Sequence, residues 1–261
     1  MLTAPLRPRA ARPHWAYTVR QWLWAGVDVL FPPRCGGCAR SGQRFCARCR
    51  AGLAWLAAPV CEACGYPLEA GGRCLNYHPD LRSLTGLRSA AFFEGPLQHA
   101  LHRLKYSRDM ILADTLAEVL AEAWLRLALP GEIVIPVPLA SERLRERGYN
   151  QAALLARGFA ELIGLPYRPG ALRRVRHTRT QVGLSVNERQ SNVQAAFRAD
   201  APAVRGRACV LIDDVCTTGA TLAACAAALA QAGATQVWGF TLGRARAVRT
   251  GAATQPPLEV V

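Results

Sequence analysis

The sequence predicts an α/β fold: a parallel sheet flanked by helices fills the C-terminal two thirds, and a small metal-stabilised module precedes it. Three observations predict this. From about residue 84 onward, apolar strand-like runs alternate with helical patterns, the order expected of βα units. Two of those runs, EIVIPVPL at 132–139 and RACVLIDDV at 207–215, are rich in β-branched and apolar residues, as in strands covered on both faces. Residues 32–80, by contrast, show little periodicity and hold seven of the chain's 10 cysteines.

Taken in order, residues 1–13 are rich in Pro and Arg and are expected to stay disordered. Residues 14–31 fit one amphipathic helix carrying Trp15, Tyr17, Trp22, Trp24 and Phe31. Its expected use is packing against the cysteine-rich module, with contact to a membrane face as the alternative. The stretch 113–128 has helical apolar spacing, and 132–139 reads as a strand. Residues 149–164 read as a helix that stops at Gly164, ahead of Pro166. The strand 207–215 ends in two acids. Residues 221–232 form a small-residue helix closed by Gly233, and 237–243 a further strand. The organisation expected is a tail and helix over 1–31, a zinc-ribbon module over 32–80, an α/β domain over 84–245 and a C-terminal tail over 246–261.

The formal net charge is +14, which favours polyanionic partners: nucleic acid, phosphorylated metabolites or anionic lipid. Lys105 is the single lysine; every other basic residue is arginine. That bias speaks of codon usage, so the sign of the charge carries more meaning than the identity of the cation. The start of the chain has no clean apolar core before a small-residue cleavage site. No run approaches the roughly 20 apolar residues of a membrane span. The expected location is the cytoplasm, with its membrane face as the variant the aromatic helix allows. In a reducing compartment, paired C-x-x-C spacings indicate metal rather than disulfides.

Cys35-x-x-Cys38 followed by Cys46-x-x-Cys49 is a strong zinc signal. Two knuckles set four thiolates around a tetrahedral ion, which replaces the core so short a segment lacks. Cys61-x-x-Cys64 is followed by Cys74 alone, and Gly71 stands where a further cysteine is looked for. Two readings stay open here. Either His78 completes a Cys3His site, or the second site is lost and its cysteines serve as small apolar residues. Cys209 and Cys225 read as core residues, and Cys216 has no assigned role. His99 and His102, with no cysteine near them in sequence, read as surface residues.

The segment VLIDDVCTTGAT carries the chemistry. An apolar strand runs into Asp213 and Asp214, a loop of Thr217, Thr218 and Gly219 follows, and a helix begins near Ala220 and Thr221. In a parallel α/β sheet this junction lies at the carboxyl edge, where ligands bind. Free loop amides, the helix N-terminus and the threonine hydroxyls make an anion site. A glycine at position 219 lets backbone approach a phosphate without a Cβ in the way. Two carboxylates beside a phosphate would repel it. They make sense if they accept hydrogen bonds from vicinal sugar hydroxyls, or help to hold a hydrated Mg2+. A ribose 5-phosphate group meets both requirements.

The same segment resembles the signature of type I phosphoribosyltransferases, with every fixed position filled. The resemblance widens through FFEGPLQHALHRLKYS (92–107), IPVPLASERLRERGYNQA (135–152) and RRVRHTRTQVGLSVNERQSNVQAAF (173–197) to the ComF family, over roughly residues 30–245. Members of that family pair a cysteine-rich zinc module with a phosphoribosyltransferase-like domain. The resemblance implies that phosphoribosyl pyrophosphate, with Mg2+, is held by Asp213, Asp214 and Thr217 to Thr221. It places Pro138 and Ser141 to Arg147 at the pyrophosphate loop, and His177 to Asn192 in a hood that closes over the substrate. Arg143, Arg145 and Arg147, with Arg176, Arg179 and Arg189 from the hood, are the candidates for neutralising pyrophosphate. The family's usual Phe after Arg-Gly is Tyr149 here. The resemblance further implies a role in competence, with single-stranded DNA and the DNA-uptake machinery as partners. Basic charge and the aromatics Phe45, Trp55, Tyr66 and Tyr77 fit single-strand binding, or else form the small core of the ribbon. Two readings therefore stand: a Mg2+-dependent transferase, and a non-catalytic single-strand-binding protein that reuses the fold. Nothing in the sequence names the acceptor nucleophile.

Overall fold

The computed structural model describes residues 15–74, 80–175 and 196–246. At its centre lies a four-stranded sheet with every pair parallel. Its strands are β1 (Gly86–Phe92), β2 (Ile133–Pro136), β5 (Ala208–Cys216) and β6 (Gln236–Arg244), in the order β1-β6-β5-β2. β2 stops at Pro136 because Pro136 and Pro138 bring no N–H to a ladder, although the amide of Val137 still reaches Ile212 O at 2.9 Å.

Helices cover both faces. On one lie α3 (Gly95–Tyr106), α4 (Leu112–Leu127) and α6 (Gln151–Ile163), which bury Leu97, Leu101, Leu116, Leu120 and Leu155 against Val210, Ile212 and Phe240. Trp124, Phe159 and Phe240 meet at ring-centroid distances of 5.5–5.7 Å. On the other face lies α8 (Ala220–Gln231), whose small side chains let it sit close to Cys209 and Leu211. The short α7 (Ala201–Val204) and an antiparallel pair, β3 (Leu172–Arg174) with β4 (Phe197–Ala199), pack on that same side. Between the layers, the hydroxyls of Ser89 and Thr241 bond one another at 2.6 Å, which satisfies two polar groups the core would otherwise strand. α6 is capped at its start by the Asn150 side chain and ends on Gly164 at φ 74°.

The cysteine-rich module, with the one-turn α2 (Ala47–Ala51), covers the open edge of β1. Leu56 N–H donates to Ala90 O at 3.0 Å, Phe92 N–H to Ala54 O at 2.8 Å, and Leu87 N–H to Ala63 O at 3.1 Å. An exposed strand edge is thereby paired.

α1 (Trp15–Leu30) is a single helix, as expected, and of its aromatic residues Tyr17 is buried and Trp24 half-buried. It docks on α4 and α6 through charge. Arg20 forks onto Asp114 at 2.7 and 3.0 Å and onto Glu161 at 2.6 and 3.2 Å, and the Tyr17 hydroxyl donates to Glu118 at 2.9 Å. Burial, then the Glu118 carboxylate, push the Tyr17 hydroxyl far above its ordinary pKa. Its tie to the cysteine-rich module is Arg44, which pairs with Asp28 and lies over the Trp24 ring. Trp22 and Phe31 face solvent. No described helix is long and apolar enough to cross a membrane.

A candidate sugar-phosphate site and two cysteine clusters

β5 delivers Asp213 and Asp214 to the carboxyl edge of the sheet. They sit side by side there, close enough that each carboxyl feels the other's charge. Asp214 turns toward α3 and is 5 % exposed; Asp213 turns toward α8 and is half-buried. Asp214 Oδ1 accepts the Val215 N–H at 2.7 Å, and its Oδ2 forms an ion pair with Lys105 Nζ at 3.0 Å. Asp213 Oδ1 accepts the Asp214 N–H at 2.9 Å. Burial, and then the neighbouring Asp214 charge, push the Asp213 carboxyl well above its usual range, with Lys105 pulling the other way. The pair thus resists carrying two negative charges at once.

The loop that follows is short. Thr217 is exposed, Thr218 half-buried, and Gly219 buried at φ 91°. A Cβ there would meet a Leu87 methyl at 3.2 Å, so both conformation and space select glycine. Thr218 Oγ1 accepts the Ala220 N–H at 3.3 Å, which winds the chain into α8, and Thr221 faces solvent in its first turn. Beneath the loop, Cys216 is buried. Its Sγ accepts from Arg244 Nη1 at 2.7 Å, and burial pushes its thiol up to about 12 although Arg244 opposes this. Arg244 itself is fully buried, with its guanidinium 5.8 Å from the Tyr66 ring.

Across the edge, β2 leads through half-buried Pro138 to α5 (Ser141–Arg147). Arg143 and Arg145 on α5 are exposed. Arg147 is half-buried, 5.2 Å from the Tyr106 ring at the end of α3. The Tyr149 hydroxyl donates to the carbonyl of Leu104 in the same turn, and Asn150 Nδ2 donates to Val137 O at 2.9 Å. The last turn of α3 therefore joins the α5 side of the edge to the acid strand. Arg176, Arg179 and Arg189 lie outside the described residues, between β3 and β4. The sequence reading did not find Lys105 in this role. Its one signal was its singularity among 32 basic residues.

The first cysteine cluster is closed. Cys35, Cys38, Cys46 and Cys49 place their sulfurs within 4.8 Å of one another, with Cys35–Cys49 at 3.6 Å and Cys38–Cys46 at 3.7 Å. Tetrahedral zinc with bonds of about 2.3 Å requires sulfurs about 3.8 Å apart, so the four fit the ion. Burial opposes ionisation of Cys35, but the amides of Cys46, Cys38 and Gly37 outweigh it and bring its thiol down to about 6. A Cβ on Gly37 would sit 2.8 Å from Cys49 Sγ. Arg103 of α3 donates to the carbonyls of Arg34 and Cys35 at 3.2 and 3.0 Å, and His99 Nδ1 lies 3.1 Å from Gly37 O.

The second cluster gathers Cys61, Cys64 and Cys74 within the same 4.8 Å limit. His78 and Tyr77 lie outside the described residues. This knuckle leans on β1. Arg88 Nη1 donates to Glu62 O at 2.8 Å, and a Cβ on Gly65 would lie 2.2 Å from Leu87 O. The module's described aromatics are already engaged, two of them with α4 and β1 of the neighbouring domain. Phe45 is buried, Trp55 lies under Arg126 at 4.4 Å, and Tyr66 meets Phe92 edge-on at 5.9 Å.

Comparison with known proteins agrees with this layout. Residues 26–77 match the double zinc ribbon domain and residues 146–250 the phosphoribosyl transferase domain. The chain is 36 % identical over 213 residues to the DNA utilization protein YhgH of Salmonella typhi, which covers 78 % of this chain and 88 % of that protein. It is 32 % identical over 220 residues to competence protein F of Haemophilus influenzae, covering 79 % and 89 %. Against competence protein ComFC of Bacillus subtilis the identity is 28 % over 211 residues, covering 77 % and 85 %. The two cysteine clusters fit the structural Zn2+ ions of such a ribbon. The chain belongs to the ComF family, competence-related proteins in which a double zinc ribbon precedes a phosphoribosyltransferase-like domain.

Proposed function

We propose that this chain binds phosphoribosyl pyrophosphate at the β5–α8 junction and uses that site in handling single-stranded DNA during competence and natural transformation. The observation that carries the first half is the junction itself. Two acids end a buried parallel strand, and a three-residue turn selected for glycine opens a helix beside them. The 5-phosphate lies on the turn's amides and threonine hydroxyls, and the ribose diol on the acids. The pyrophosphate extends toward α5, where Arg147 and the exposed Arg143 and Arg145 supply cations. A hydrated Mg2+ accompanying the pyrophosphate would be held by the acid pair, of which Asp213 is the more exposed. Transfer of the ribosyl group to a nucleophile would then need the site to stabilise departing pyrophosphate, the task the arginines suit.

Single-strand handling rests on charge and on a groove. Arg40, Arg48 and His99 line a hollow between the first knuckle and the start of α3. With Phe45 buried and Trp55 and Tyr66 half-buried against Arg126 and Phe92, backbone neutralisation rather than stacking on these rings would supply the affinity. In the alternative reading, the protein binds single strands without any transfer reaction.

Calorimetric titration of phosphoribosyl pyrophosphate with Mg2+, on the wild type and on Asp213→Asn with Asp214→Asn, tests the site. Binding that vanishes in the double variant while its melting profile persists is the expected result; equal affinities would remove the reading. Titration of a short single strand at rising salt tests the second half. The expected affinity falls steeply with salt, and a flat response excludes the proposed mode of contact.

A further inference from the structure

We propose that Lys105 is a positioning residue of the sugar-phosphate site, holding Asp214 for the vicinal diol of the ribose and offsetting the charge of the acid pair. This rests on the sugar-phosphate reading given above.

Composition supplies the first argument. In a chain with 32 basic residues, one is lysine. Wherever a positive charge alone suffices, this chain uses arginine. At position 105 it does not. A guanidinium is a broad flat fork, whereas an ammonium is compact and donates in three rotatable directions. The place discriminates between them: the side chain is 15 % exposed, its Nζ 3.0 Å from Asp214 Oδ2 and 5.8 Å from the centre of the Phe93 ring.

Geometry supplies the second. One Asp214 oxygen accepts the Val215 amide; the other, buried and without a hydrogen bond, lies 3.0 Å from the Lys105 ammonium as its ion-pair partner. The amide and the charge together narrow where the carboxylate can turn before a ligand arrives, which lowers an ordering cost of binding. With Lys105 present, the trio of Asp213, Asp214 and Lys105 carries at most one net negative charge. Without it, two carboxylates would face an incoming polyanion across a partly desolvated gap, where like charges repel strongly.

Connectivity supplies the third. Leu104, Lys105 and Tyr106 are consecutive. The first accepts the Tyr149 hydroxyl, the second grips Asp214, and the third lies under Arg147. One helical turn thus ties the diol acceptor to the elements that flank the pyrophosphate side.

The test titrates three probes, each with Mg2+, by calorimetry: phosphoribosyl pyrophosphate, ribose 5-phosphate and inorganic pyrophosphate. Lys105→Met keeps the length of the side chain and removes its charge. It is expected to weaken phosphoribosyl pyrophosphate and ribose 5-phosphate at least tenfold while leaving pyrophosphate within about twofold. Lys105→Arg is expected to recover part of that loss, and it decides the question alone should the Met variant not fold. In an Asp214→Asn background, Lys105→Met is expected to cost ribose 5-phosphate nothing further. Unchanged ribose 5-phosphate affinity overturns the assignment, as does an equal loss for pyrophosphate or an additive loss in the Asp214→Asn background. If the wild type binds neither ribose-bearing probe, the sugar-phosphate reading itself fails. If it binds both and the lysine variants bind as well, the role of Lys105 alone falls.

Discussion

The two cysteine clusters solve one problem by different means. The first has four sulfurs at zinc spacing, three backbone amides aimed at Cys35, and its own short helix. The second shows three sulfurs and obtains its rigidity from the sheet: Ala63 and Gly65 against Leu87, and Arg88 on the carbonyl of Glu62. Metal makes the first knuckle, whereas contact with β1 makes much of the second. The difference also has a direction. The first knuckle is clamped to α3 by Arg103, and the second lies beside the β5–α8 turn, since Leu87 carries the knuckle on its backbone and meets Gly219 with its side chain. Each cluster braces a different wall of the proposed site.

Breaking the first cluster should cost most. In Cys35→Ser the closed site loses a buried ligand, and loss of a structural metal is among the few single changes that exceed about 4 kcal/mol. Metal analysis should show that cluster emptied, and thermal unfolding should shift by many degrees or turn to aggregation. Retention of full zinc content would contradict the comparison. Next comes Gly65→Ala. Its φ of +66° and the 2.2 Å approach of a Cβ to Leu87 O leave no room to relax. A destabilisation of roughly 1–3 kcal/mol is expected, seen as a melting temperature several degrees lower. Cys74→Ser should cost less than either, lowering bound zinc by one equivalent while the sheet keeps the knuckle in place.

These contrasts mark what was legible in the sequence. The strand, acids, turn and helix of 208–231 could be read because all their determinants lie within a few residues of one another. So could the first cluster, whose ligands fall within one short segment. The edge pairing of 54–56 with β1 could not, because β1 breaks its apolar pattern at Arg88 and Ser89, whose partners are distant. The docking of α1 on α4 and α6 was not legible for a related reason: the sequence reading packed it on the cysteine-rich module, where Arg44 does meet Asp28 and the Trp24 ring, but the carboxylates that take Arg20 and Tyr17 lie far along the chain. Lys105 meets Asp214 across more than a hundred residues of chain, and no spacing rule connects them.

The smallest expected effect sharpens the comparison from the side of the site. Asp213→Asn should stabilise the protein at pH 7, by a few degrees of melting temperature at most. The folded state raises the Asp213 carboxyl above its ordinary value of 3.8. Well below that value the group is protonated whether folded or not, and the substitution should change nothing. As pH rises, the unfolded chain ionises freely while the folded chain resists, and wild-type stability is lost over that window. Melting curves from pH 3 to pH 8 should therefore converge at the acid end. A gain that persists at pH 3 would argue against charge burial as its cause.

The measurement that bears most directly on the whole account is phosphorus NMR of phosphoribosyl pyrophosphate with this protein and Mg2+. If the turn at Thr217–Gly219 seats the 5-phosphate, that resonance shifts or broadens on binding, and Gly219→Val abolishes the change. If the pyrophosphate resonances alone respond, or the 5-phosphate signal responds equally in Gly219→Val, the ligand does not sit where the acid strand becomes a helix.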